Sequence, residues 1–90
     1  MPEFFENLPY DAATEIEQLA RLAYELRENR QAVLRYHGVA DETALLQRIQ
    51  SREIAEHPAY EHYLAARILA DTREAARAAL TACVKAANRT

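Results

Sequence analysis

The sequence predicts an all-α fold: a small three-helix bundle with two long helices, one short helix and an aromatic N-terminal arm. The 90 residues are 50% hydrophobic and 28% charged, which is ordinary for a globular domain. One glycine and three prolines are too few for the frequent turns of an all-β fold. Alanine, leucine, glutamate and arginine, all strong helix formers, supply much of the rest. The length fits a single helical domain, residues 1–90.

The predicted arm is residues 1–10, where Phe4, Phe5 and Leu8 are concentrated. Phe4 and Leu8 would share a face in one helical turn. Such an arm either packs on its own bundle or docks on a partner, and the sequence leaves both interpretations open.

Helix 1 is predicted over residues 11–37, with Asp11 as its N-cap. Its apolar residues recur at helical periodicity, and Gly38 follows where a left-handed residue commonly ends a helix. We therefore expect a positive φ at Gly38. Arg30 projects toward the apolar side, so it either extends its guanidinium to solvent or pairs with a carboxylate of this chain or of a partner.

Helix 2 is predicted over residues 41–50, beginning after the N-cap Asp41. Leu45 and Ile49 belong to its apolar face. Ile54 would fall on the opposite side of a continued helix, so we expect a break between Gln50 and Glu53.

Helix 3 is predicted over residues 58–87, with Pro58 at the favoured first helical position. Its apolar side is wide enough to contact two neighbours. One edge of that side consists of Leu64, Ile68, Ala75, Ala79, Ala82 and Ala86, and the other consists of Leu69, Ala76, Leu80, Val84 and Ala87.

The sequence shows no residue pattern for catalysis, for a cofactor or for a metal, and no small-molecule substrate is evident. His57 and His62 are five residues apart and Pro58 interrupts them, whereas helical metal ligands lie three or four apart. His37 is expected to be a cation or a cap at the end of helix 1. Cys83 lies among alanines, which is typical of a buried structural thiol. We expect no enzymatic activity.

Composition favours a cytoplasmic bacterial protein. The single cysteine suits a reducing compartment, and no signal peptide or membrane span is predicted. Lys85 is the only lysine among 11 basic residues, an arginine preference typical of GC-rich bacterial genomes. The net charge of −3 makes nucleic acid an unfavoured partner, because phosphate contacts need concentrated basic charge.

The predicted function is a protein–protein interaction module, a small regulator or antitoxin-like protein that binds a partner or forms a homodimer. A helix 2 of about 15 Å cannot cover both long helices, which leaves apolar surface for a second chain. The alternative is a nucleic-acid-binding regulator using Arg27, Arg30, Arg35, Arg48 and Arg52. The candidate interface residues are Phe4, Phe5, Leu8, Tyr60, Tyr63, Leu69, Ala76, Leu80 and Val84.

Overall fold

A computed structural model describes residues 10–89, which form three helices and contain no strand. The helices are α1 (Tyr10–Tyr36), α2 (Glu42–Gln50) and α3 (Glu56–Asn88). The predicted all-α fold with two long helices and one short helix is therefore confirmed. The predicted interface residues Phe4, Phe5 and Leu8 lie outside the described residues, so the role of the arm stays a prediction.

The two long helices run antiparallel. His37, at the end of α1, hydrogen-bonds His62 near the start of α3. In the middle, Arg73 donates from Nε to the carbonyl oxygen of Ala23 across 3.3 Å. Further along, Glu15 lies close enough to Cys83 for its carboxylate to raise the pKa of the thiol. The molecule is consequently a rod with dimensions of 61 × 17 × 16 Å.

The facing sides of the long helices each carry a heptad pattern, with residues spaced alternately by three and four. Every member of both patterns is buried or half-buried. Such spacing keeps one side of a helix against its neighbour over many turns. The α1 row is Ala12, Ile16, Leu19, Ala23, Leu26, Arg30, Val33 and His37. The inner row of α3 is Ala59, His62, Ala66, Leu69, Arg73, Ala76, Leu80, Cys83 and Ala87.

The buried core of the three helices is small. Six apolar residues of the described chain are buried, and four of them are alanines: Ala23, Ala59, Ala66 and Ala76. The other two are leucines, Leu34 and Leu45. Alanine lets helix backbones approach closely but removes little apolar area from water, so each contact contributes less than a leucine contact would.

Helix α1 ends at the predicted glycine. Gly38 has φ +67°, and its N–H donates to the carbonyl of Arg35 at 3.0 Å. The next N–H, from Val39, donates to the carbonyl of Leu34 at 3.1 Å. This pair of hydrogen bonds is a Schellman motif, which satisfies the last carbonyls of the helix. The start of α1 differs from the prediction, because Asp11 lies inside the first turn and is not the N-cap.

Helix α2 begins and ends as predicted. The Asp41 carboxylate accepts a hydrogen bond from the N–H of Ala44 at 2.9 Å, which is an N-cap. The chain breaks after Gln50 in a second Schellman motif, in which Arg52 has φ +66°. Arg52 thus occupies the left-handed position that Gly38 fills at the end of α1.

Helix α3 carries a local interruption at its start. His57 has extended backbone angles, φ −109° and ψ 124°, because the residue before a proline avoids the helical region. The regular helix therefore begins at Pro58, as the sequence predicts, although one helical residue, Glu56, precedes the interruption.

Candidate functional site

Arg30, the only arginine of the α1 row, is held by a carboxylate of the same chain. Its Nε and terminal nitrogen donate to the two oxygens of Glu42 at 2.5 and 2.7 Å. The side chains are 28% and 17% exposed, respectively. The hydrogen bond from Arg30 lowers the pKa of Glu42, and the same bond raises the pKa of Arg30. Of the alternatives open to Arg30, pairing within the chain is the one observed, and it ties α2 to α1.

The histidines at the loop end of the rod form a pair. His37 Nε2 and His62 Nδ1 are 2.8 Å apart, and the ring of Tyr36 meets both imidazoles edge-on. Burial lowers the pKa of His37, and the neighbouring His62 and Arg48 lower it further. The lowered pKa favours the neutral imidazole over the predicted cation. The backbone N–H of His37 donates to the carbonyl of Leu34 directly after the last residue of α1, which is the position of the predicted cap.

Metal binding finds no support in the described part of the chain. Nowhere in residues 10–89 do three or more His, Cys, Asp or Glu side chains come together as a metal would require. His57 Nδ1 instead pairs with Glu61 at 2.7 Å. Cys83 is half-buried against α1, and burial together with the Glu15 carboxylate raises the pKa of its thiol. A raised pKa disfavours the nucleophilic thiolate.

The arginines of the nucleic-acid alternative are mostly occupied within the chain. Arg27 pairs with Glu28 at 2.8 Å. Arg48 donates to the carbonyl of His37 at 3.0 Å and lies 3.9 Å from a Glu53 oxygen. With Arg30 bound to Glu42, three of the five basic groups already face carboxylates or carbonyls, which weakens the case for phosphate binding. Arg35 and Arg52 are exposed.

The predicted interface row of α3 is not a free surface. Ala76 is only 6% exposed, and Leu69 and Leu80 are half-buried. All three belong to the inner row, so α1, and not a second chain, covers them. This burial does not favour a partner contact at Ala76, and the interface assignments of Leu69, Ala76 and Leu80 stay predictions. Val84 alone is exposed, at 37%.

The tyrosines near the start of α3 pack on their own helix. The rings of Tyr60 and Tyr63 stack with centroids 5.8 Å apart, and the guanidinium of Arg67 lies 5.7 Å from the Tyr63 ring centroid. Tyr63 also borders the groove toward Glu42 and Leu46 of α2. Of the two predicted candidates, Tyr60 is the more accessible, at 41% exposed.

The exposed apolar surface of α3 lies instead on its other edge. Ile68 is 64% exposed and Leu64 is 38% exposed. Residues 63, 67 and 70 line the groove toward α2. Residues 61, 65 and 68 each precede one of these groove residues by two positions, which is about 200° of rotation around the helix. The edge that contains residues 61, 65 and 68 therefore points away from α2. This outer row, again at heptad spacing, is Glu61, Ala65, Ile68, Thr72, Ala75, Ala79, Ala82, Ala86 and Arg89.

The sequence predicts that this edge is apolar, but the predicted interface residues of α3 lie on the other edge. Both edges of α3 have heptad spacing, so periodicity alone could not tell which faces α1. The exposed positions Leu22 and Tyr36 of α1, at 42% and 77% exposure, were likewise missed as surface residues.

Two open depressions lie near the loop end of α1. One of about 360 Å³ lies at the end of α1 and is lined by residues that include Arg30, Arg35 and Gly38. Another of about 260 Å³ is lined by Ala32, Val33, Tyr36 and His62. The second is bounded chiefly by apolar side chains, as expected of a surface that receives a protein side chain.

Comparison with known proteins gives a family match without a described activity. The model of a family described as "Uncharacterized protein MJ0235 family" matches residues 12–88, which span nearly all of the three helices. Neither the curated proteins nor the solved structures contain a match. No described helix has the length and apolarity that crossing a membrane requires.

Proposed function

We propose that this chain, which belongs to the uncharacterized protein MJ0235 family, is a helical interaction module that acts by binding a protein. The observation that carries the proposal is the outer row, where Ile68 is 64% exposed in the middle of a long helix. Contiguous exposed apolar surface usually marks a partner site. The partner would lie along α3 on the side away from α2.

The size of the core supports the proposal. Burial of a leucine stabilises a fold by about 1.5–3 kcal/mol, and an alanine contributes much less. Among the described residues, two buried leucines and four buried alanines form a small core. Chains of this size are often marginally stable alone and gain stability from association. A partner on the outer row would supply the missing burial.

The proposal includes no catalytic, cofactor or metal role. The pairing of Arg30 with Glu42 and the raised thiol pKa of Cys83 support structural roles for these two side chains. The proposed role is that of a small regulator, of the antitoxin-like kind, which acts by binding a partner protein. The lone cysteine and the arginine preference support placement in a bacterial cytoplasm.

The test compares Ile68→Glu with Thr81→Glu, which adds the same charge at an exposed position outside the outer row. Proteins captured by the immobilised wild-type chain are purified, and their binding to each variant is measured by calorimetry. We expect Ile68→Glu to weaken binding at least tenfold, because a charge at the centre of an interface is desolvated. Thr81→Glu should bind like the wild type. Equal binding by the two variants would refute the proposed surface.

A further inference from the structure

We propose that the occupant of the outer row is a second copy of this chain, with the two α3 helices antiparallel and crossing at Ala75. This inference rests on the proposed function and names its partner. It is carried by the exposed Ile68 and by charges of opposite sign at the two ends of the same row.

The outer row of one copy is complementary to the outer row of a second copy that runs antiparallel to it. Ile68 and Ala82 lie seven residues on either side of Ala75. In an antiparallel pair centred on Ala75, each Ile68 meets an Ala82 of the other copy. A large side chain thus faces a small one at two symmetric places, as an isologous interface requires. The small side chains of Ala79 and Ala82 allow the two helix axes to approach to about 8–10 Å.

The charges at the ends of the row fix the orientation. Glu61 and Arg89 lie 14 residues on either side of Ala75, about 21 Å along the helix. Antiparallel packing brings each carboxylate to a guanidinium of the other copy, at both ends of the interface. Parallel packing would place like charges together, which is unfavourable. Glu61 is 53% exposed, and the contact with His57 Nδ1, at 2.7 Å, involves its Oε2 atom and not Oε1.

The rest of this side of the molecule agrees with a second helix there. Leu22 and Tyr36, both exposed, lie 14 residues apart on α1 and so share one side of that helix. Tyr36 borders the apolar depression next to His62, at the same end of α3 as Ile68. A partner helix on the outer row can therefore cover apolar atoms of both long helices.

The experiment exchanges the terminal charges and measures the dimer dissociation constant by sedimentation equilibrium. Glu61→Arg and Arg89→Glu are each expected to weaken the dimer at least fivefold, and the double variant should return to within about threefold of the wild type. The control Glu74→Arg changes the same charge away from the outer row and should leave the constant unchanged. Circular dichroism checks that every variant keeps its helix content.

Three outcomes would overturn the inference. If the double variant is no tighter than the singles, the antiparallel register is wrong. If the singles dimerise like the wild type, the outer row is not the dimer interface. If the wild type is monomeric at about 500 µM but a different protein binds in an Ile68-dependent way, the second copy is wrong and the proposed function stands.

Discussion

The polar side chains between α1 and α3 are accommodated because each has a partner on another segment. Arg30 reaches Glu42, Arg73 reaches the Ala23 carbonyl, and His37 reaches His62. An unpaired polar group at such a site costs about 1–3 kcal/mol. A one-heptad slip between α1 and α3 would separate Arg73 from Ala23 and His37 from His62, so these two contacts specify the register of an alanine-rich seam that otherwise permits sliding.

The Arg30–Glu42 pair should contribute measurably to stability. In a double-mutant cycle with Arg30→Met and Glu42→Gln, we expect a coupling of about 1 kcal/mol or more, because the pair is bidentate and largely shielded from solvent. Urea denaturation of the four proteins measures it. The exposed pair Arg21 and Glu17, 3.8 Å apart, is the control and should couple by about 0.5 kcal/mol or less. Equal coupling in the two pairs would contradict this account.

The histidine pair should make stability depend on pH in a defined window. The folded chain lowers the pKa of His37, so the unfolded chain takes up its proton at a higher pH. Stability from neutral His37 is complete above about pH 6.5 and is lost as the pH falls toward the folded-state pKa. The pKa of Glu42 is also lowered, so the stability that its carboxylate contributes is lost only as the pH falls below about 4.3.

Denaturation at pH 7.5, 6.0 and 5.0 measures this dependence. We expect the unfolding free energy to fall across the three values for the wild type and to fall less for His37→Gln. His57→Gln is the matched control, since the His57 side chain is 83% exposed. Its unfolding free energy should decrease with falling pH nearly as much as that of the wild type. An identical pH profile for His37→Gln and the wild type would show that this pair is not responsible.

At the scale of the elements, the helix ends were the features most predictable from sequence. Gly38 and Asp41 act through local backbone chemistry, which a few neighbouring residues determine. The partner of Arg30 was not predictable, because it depends on how α2 folds back across 12 residues. The choice between the two edges of α3 was not predictable either, since tertiary packing decides which of two similar heptad patterns becomes the inner row.

The two Schellman motifs predict that removing the glycine at position 38 destabilises the chain and that introducing a glycine at position 52 stabilises it. Gly38→Ala should destabilise the chain by about 1 kcal/mol, because an L-residue at φ +67° is strained even though the added Cβ meets only Arg48 at 3.9 Å. Arg52→Gly should stabilise it by about 0.5–1 kcal/mol, because it relieves the same strain at φ +66°. Thermal and urea unfolding of both variants test this. A destabilised Arg52→Gly would mean that the Arg52 side chain has a role that its backbone does not reveal.

At the scale of the whole molecule, the two sides of α3 have different roles. Leu80→Glu places a charge in the seam against α1, and we expect it to unfold the chain by removing about 3 kcal/mol or more of stability. Ile68→Glu places the same charge on the outer row and should leave a folded helical monomer. Circular dichroism and light scattering on both variants distinguish these outcomes. A folded Leu80→Glu monomer would show that the inner row does not form the core.

Association through the outer row, as proposed above, completes a core that the described residues of one chain provide only in part. Thermal unfolding at chain concentrations from about 5 to 500 µM tests it most directly, because association that accompanies folding makes the midpoint depend on concentration. We predict that the midpoint of the wild type rises by several degrees over this range and that the midpoint of Ile68→Glu stays constant. A wild-type midpoint that does not change with concentration would contradict the claim.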